Sequence, residues 1–223
     1  MFLLNYLLTP KFWHNNCNIS FHTQLNQERT MTEFSNHTFD TAPDRSKPLI
    51  QNAEKKWGFI PNLLAVMAES PATLESYLTL GQLFDKTSFT VTERQLILLS
   101  INRYRNCCYC LAAHGTIAKS QNISTDLVKA VYYKQPFNDE KLDALRTFTL
   151  AVLEQQGWVK QPELSAFYQA GYNKQHVLEV VLAISFKTLS NFINHINDTP
   201  IDSQFLVGMP DNKASSCCCE AEA

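Results

Sequence analysis

The sequence predicts an all-α protein, and three observations carry that expectation. From about residue 45 the apolar residues recur at helical spacing, and no alternating strand pattern competes. The periodic stretches are punctuated by caps, prolines and glycines at positions where helices start and stop. Hydrophobic residues make up 45% of the 223-residue chain and charged residues 18%, a balance that fits a globular protein with a real core.

The elements follow in order. Asp44 is positioned to cap a helix that runs to Trp57 and ends at Gly58. Leu63 to Ala68 reads as a short apolar helix, and Ser70-Pro71 pairs a cap with proline at the first helical position. The helix it opens carries Leu74, Tyr77, Leu78, Leu80, Leu83 and Phe84. Thr92 is expected to cap the next helix through Leu96–Leu99, which breaks near Arg105-Asn106, and a cysteine-bearing helix then runs to about Ser120. Ser124 to Asp126 cap a helix to Tyr133, residues 139–156 form another closed by Gly157, and Pro162 starts a short one ended by Gly171. The last, from Lys174 to about Asn197, is long and apolar. Short connections place successive helices side by side. Residues 203–223 show little periodicity.

The stretch richest in chemistry is Cys107-Cys108-Tyr109-Cys110-Leu111-Ala112-Ala113-His114. On a helix, residues three and four apart are neighbours, so Cys107, Cys110 and His114 line one stripe. A thiolate is the reactive form of cysteine, and an imidazole one turn away can take its proton. Cys107 is then close enough to attack an oxidised Cys110 and close a disulfide. Two structural readings compete: small buried residues, or half of a zinc site. Zinc needs about four ligands, and the body of the chain holds no second C-x-x-C or H-x-H. No metal and no cofactor is therefore expected. Cys108, about 100° round the helix, reads as a packing residue.

A formal net charge of −2 argues against general nucleic-acid binding. The 7 cysteines are unevenly placed, unlike a secreted disulfide framework, so a reducing cytoplasm is the expected setting. No apolar run reaches the ~20 residues that span a bilayer, and no membrane association is expected. The apolar start, Met1 to Leu8, has no positive region before it and no small-residue cleavage site after it, so a signal peptide is not expected. Residues 1–35 read as a disordered extension, with Met31 as a possible downstream start; residues 36–208 form the domain, and residues 209–223 a flexible tail. Within the tail, Cys217, Cys218 and Cys219 read as incidental thiols, against soft-metal capture or intermolecular disulfides.

Four elements in order carry a family resemblance: Gly58-Phe59-Ile60-Pro61-Asn62, Thr92-Glu93-Arg94-Gln95, Cys107-x-x-Cys110-x-x-x-His114, and Lys187-Thr188-Leu189-Ser190-Asn191-Phe192-Ile193-Asn194-His195. With these the chain, over about residues 38–207, resembles the carboxymuconolactone decarboxylase-like superfamily, and within it the alkylhydroperoxidase D-like, peroxidase-related branch. The resemblance implies an all-helical fold assembled as a homo-oligomer, a trimer or hexamer. It implies that Cys110 is the peroxidatic thiol, Cys107 the resolving thiol and His114 the proton-transfer group. The cysteine pair points away from decarboxylation. In the family's peroxidase members a glutamate stands twelve residues before the first cysteine; here Gln95 stands there, and it cannot exchange a proton at neutral pH. Glu93, about 200° away on the helix, is read as a charge at the helix N-terminus rather than a substitute. His195 shares a helix face with Asn191 and is read as structural before it is read as site support.

The function expected is a cofactor-free, thiol-dependent peroxidase. A hydroperoxide is its substrate and an external dithiol, a lipoyl group or a thioredoxin-like protein, its reductant. Trp57, Phe59, Phe84 and Tyr109 are candidates to line an apolar pocket, each equally suited to plain core. The alternatives are a non-catalytic redox-sensing or assembly module using the same cysteine pair, and a metal-handling protein using the tail.

Overall fold

A computed structural model describes residues 34–210. The expected N-terminal extension through residue 33, with Cys17 and Met31, and the tail from residue 211, with Cys217–Cys219, lie outside the described residues. The described residues form helices α1 (Lys47–Trp57), α2 (Asn62–Met67), α3 (Pro71–Phe84), α4 (Val91–Tyr104), α5 (Cys108–Ser120), α6 (Thr125–Tyr132), α7 (Glu140–Glu154), α8 (Gln161–Gln169) and α9 (Lys174–Asn197), followed by a 3-10 helix (Ser203–Gly208). There is no strand among them.

Local chemistry sets most boundaries. Gly58 ends α1 at φ 78°, in the left-handed region that glycine enters without penalty. The Ser70 side chain accepts from the Thr73 N–H at the start of α3, and Asp139 accepts from the Leu142 N–H at the start of α7. Two expected caps are displaced. Ser46, not Asp44, precedes α1; its hydroxyl donates to the Ala68 carbonyl, while Asp44 accepts from the side chain of Lys47, the first helical residue. Thr90, not Thr92, opens α4 through a reciprocal capping box with Glu93, which accepts from the Thr90 N–H.

Helix α4 is the axis of the bundle. It packs on α5, α6, α7 and α9, and every residue from Gln95 to Arg103 is buried. A helix enclosed on all sides reads as a continuous apolar run, which is why Leu96–Leu99 and Ile101 lack polar interruptions on one face. On one flank Phe148, Phe167 and Tyr172 stack, with ring centroids 4.1 and 4.5 Å apart. Burying three aromatic rings supplies area that a small bundle needs.

The end of the expected domain, which shows little period in sequence, packs closely on the bundle. The 3-10 helix lies along α5, with Phe205 and Met209 buried. Gly115 and Gly208 permit the approach: a β-carbon on Gly115 would fall 2.1 Å from the Gly208 carbonyl oxygen. Asp202 anchors the segment, accepting from the Tyr109 hydroxyl (2.6 Å) and from the Asn62 N–H at the start of α2 (3.2 Å).

Candidate active site

Cys107 is the N-cap of α5, not a member of its first turn, with φ −87° and ψ 93°. Cys110 is the third helical residue. An N-cap side chain folds over the first turn toward the third residue, the same relation that joins Thr90 to Glu93. The two cysteines accordingly lie 3.3 Å apart, both unoxidised and buried. Their position at a helix N-terminus favours a thiolate. Cys108 packs at the margin of the core.

Helix α9 completes the site. The Asn194 amide donates to Cys110 Sγ at 3.3 Å and reaches Cys107 Sγ at 3.8 Å. Asn191 donates to Asn102 (3.0 Å), whose own amide donates to the Cys110 carbonyl (3.2 Å). Lys187, 1% exposed, places Nζ 3.1 Å from His114 Nε2 and close enough to Cys110 for their charges to interact. His114 Nδ1 in turn meets Gln95 Oε1 at 3.0 Å. An ammonium has only protons to offer, so His114 Nε2 accepts from Lys187. The N–H of the neutral ring is then at Nδ1, and Gln95 presents its oxygen to it.

These contacts separate the two thiols electrostatically. Burial pushes the Cys110 thiol up, but the hydrogen bond from Cys107, the Lys187 charge and the side chains of Ser190 and Asn191 hold it well below its ordinary value. Cys107, donating to Cys110 and buried, is pushed upward. Burial and the Lys187 charge hold His114 well below the ordinary imidazole value. Lys187 is itself pushed down by burial and more than restored by Cys110, Tyr77 and Cys107. These directions favour a Cys110 thiolate beside a Lys187 ammonium, with the proton kept on Cys107 and His114 neutral.

A cavity of about 630 Å³ opens on this cluster. Cys110, His114, Lys187 and Gln95 line it, and Cys107 does not. Its other walls are largely apolar: Trp57, Phe84, Tyr109, Phe186 and Phe205 among them. Phe59, expected in this wall, instead packs edge-on against Phe205 at 5.6 Å, one layer behind.

The structure therefore gathers Cys107, Cys110, His114 and Gln95, but not in the expected contact order. Among the described residues no hydrogen bond joins His114 to Cys110; Lys187 stands between. Glu93 is 79 residues from its Tyr172 partner in sequence and bonds to it at 2.9 Å, with Lys141 at 3.1 Å, on the far side of α4 from the thiols. His195 is exposed and takes no part in the cluster; Asn194, beside it, does. Lys187, Asn191 and Asn194 lie within a motif quoted for the resemblance, yet only His195 was singled out from it. A lysine amid the apolar run Val180–Leu189 was the available signal, because lysine is rarely buried without a partner.

The helical arrangement is the alkylhydroperoxidase D-like fold, and solved structures share that fold. A peroxidase-related protein from Ralstonia eutropha JMP134, described as an alkylhydroperoxidase AhpD core, superposes with TM-score 0.67 at 22% identity, over 81% of this chain and 97% of that one. A peroxidase-related protein from Silicibacter sp. TM1040 matches with TM-score 0.67 at 16% identity, over 80% and 94%. The debrominase Bmp8, as a cysteine-to-alanine variant bound to 2,3,4-tribromopyrrole, matches with TM-score 0.66 at 18% identity, over 82% and 99%. No family model and no curated relative matches the chain.

Proposed function

We propose that this chain is a thiol-dependent peroxidase that reduces hydroperoxides at Cys110. One observation carries the reading: the thiol that lines the cavity is also the one whose surroundings push its pKa down, and its partner thiol waits 3.3 Å behind it. The thiolate sulfur attacks the terminal oxygen of ROOH; the S–O bond forms, the O–O bond breaks, and RO⁻ leaves and is protonated to ROH. Cys107 then attacks the sulfenic acid, closing the disulfide and releasing water. An external dithiol, a lipoyl group or a thioredoxin-like protein, returns both thiols. The apolar walls favour an organic hydroperoxide over hydrogen peroxide. The working form is a homo-oligomer, trimer or hexamer, in a reducing compartment. Leu178, Val181, Phe192 and Ile196, exposed along α9, supply apolar area for the contact between copies. That helix is long and apolar enough to cross a membrane by length and composition, but it delivers Lys187 and Asn194 to the bundle centre.

The test is consumption of cumene hydroperoxide with a recycling dithiol. Cys110→Ser should abolish it, and Cys107→Ser should leave a sulfenic acid trappable at Cys110. A sulfenic acid found at Cys107 instead would reverse the roles. Turnover of 2,3,4-tribromopyrrole without turnover of hydroperoxide would replace the reading with a dehalogenase. Oxidation no faster than that of a free thiol would leave the alternative, a redox switch without catalysis.

A further inference from the structure

We propose that Lys187 is both the counter-charge of the Cys110 thiolate and the proton donor to the departing alkoxide, with His114 serving as the acceptor that aims its ammonium. The chemistry rests on the peroxidase reading above. The geometry does not: Lys187 Nζ sits 3.1 Å from His114 Nε2, lines the same cavity as Cys110 and is 1% exposed. A lysine so deeply buried keeps its proton only against an anion. The groups that face it are Cys107, Cys110 and His114 of α5 and Tyr77 of α3, with the Phe186 ring of its own helix 5.3 Å away and the uncharged Gln95 of α4 beyond His114. Of these, Cys110 is the one whose pKa is pushed down, and so the one that favours an anion beside the ammonium.

The direct route expected from sequence, thiol to imidazole, is closed. His114 Nε2 is occupied by the ammonium, Nδ1–H by Gln95, and the Lys187 charge opposes a second cation beside it. The proton needed by RO⁻ then comes from the ammonium, and the cycle closes without a proton from solvent. Cys110 S⁻ and ROOH give Cys110–SOH and RO⁻; Lys187 gives its proton, leaving ROH and a neutral amine. The amine takes the Cys107 thiol proton as that sulfur attacks Cys110, and returns it to the leaving hydroxide as water. When the external dithiol reduces the disulfide, the proton arriving on Cys110 passes to the amine and restores the ion pair. Two thiol hydrogens of the reductant are consumed, and ROOH becomes ROH and water.

The decisive measurement is the thiolate absorbance of the reduced protein against pH, less that of Cys110→Ser, in wild type, Lys187→Met and Lys187→Arg, with melting curves alongside. Removing a charge this close should raise the Cys110 midpoint by about 1–3 pH units in Lys187→Met. Lys187→Arg should keep a low midpoint, because guanidinium stays charged, yet slow oxidation by hydroperoxides increasingly as the leaving alkoxide becomes more basic, because it does not release its proton. An unmoved midpoint in a folded Lys187→Met protein would overturn the counter-charge role. A wild-type oxidation rate in Lys187→Arg would overturn the proton-donor role, and that variant decides alone if Lys187→Met does not fold. No peroxide is present in the absorbance measurement, so a wild type inert to hydroperoxides would fail the peroxidase reading and the donor role while the midpoint still judged the ion pair.

Discussion

Asn194 holds both sulfurs from one amide, with Nδ2 3.3 Å from Cys110 and 3.8 Å from Cys107, while its own buried Oδ1 has no partner among the described residues. The two ends of this side chain act differently. The N–H supports the thiolate; the orphaned oxygen costs the fold and gains nothing from it.

Asn194→Leu should therefore separate reactivity from stability. Loss of a hydrogen bond to a charged group, about 1.5–3 kcal/mol, should raise the Cys110 midpoint by roughly 1–2 pH units. The melting temperature should stay near wild type, since the unpaired oxygen leaves with the amide. A large fall in melting temperature with no change in midpoint would assign Asn194 to packing alone.

His114 should remain a neutral Nδ1–H ring through neutrality. Its ring-proton NMR shift in the reduced protein should be flat as pH falls through the ordinary imidazole range, because burial and Lys187 hold its pKa well below that range. In Gln95→Glu a carboxylate would meet Nδ1–H in place of the amide oxygen now 3.0 Å away, and the ring should begin to titrate. A His114 that titrates normally in wild type contradicts the Lys187 contact.

Stability should fall as the solution is acidified from alkaline pH. The folded Cys110 pKa is depressed, so the unfolded state binds one more proton between that value and the free-thiol value near ~8.5, and stability there rises with pH. The slope is up to about 1.4 kcal/mol per pH unit for one proton. His114, also depressed, adds a second arm below ~6.5, and Glu93 a third below the ordinary carboxyl range. Urea titrations across pH should show the first arm flattened in Cys110→Ser and the last in Glu93→Gln. Unchanged slopes would mean that these groups titrate alike in folded and unfolded chains.

Gly208→Ala should destabilise the fold by at least ~1–3 kcal/mol, because its β-carbon would meet the Ala112 carbonyl oxygen and the Thr116 nitrogen at 2.2 Å, both backbone atoms of α5. At about 2–4 °C per kcal/mol, calorimetry resolves this easily. Gly81→Ala is the control: its nearest atom is a Phe186 ring carbon at 3.3 Å, which can shift. Equal effects at the two positions would dismiss the tight glycine contact.

Much of this architecture was legible in the residue order. Caps, prolines and glycines mark helix limits through local chemistry, and the Lys174–Asn197 helix is found at the limits its pattern indicates. The displaced cap on α4 shows where local rules tie. Thr90 with Glu93 and Thr92 with Gln95 both fit a capping box, and burial of Gln95 against His114 chooses the first. The thiol pair and His114 were legible because they are near neighbours along one helix. Lys187 and Asn194 were not, since they reach His114 and the thiols across 73 to 87 residues of chain and sit in a helix whose period speaks for packing. The 3-10 helix escaped notice because six residues carry too little period.

On the peroxidase reading, one doorway serves the whole cycle: among the described residues the cavity touches Cys110 and not Cys107, so oxidant and reductant would enter by the same mouth and take turns. Each should obstruct the other, giving ping-pong kinetics in which an excess of either substrate idles the enzyme by occupying the form meant for its counterpart. The reductant must also be slim. A dithiol on a flexible arm could follow the cavity to Cys110, whereas a folded carrier would have to wait for the walls to open. Traffic through this single entrance, rather than the reactivity of the thiolate, would then set the turnover rate.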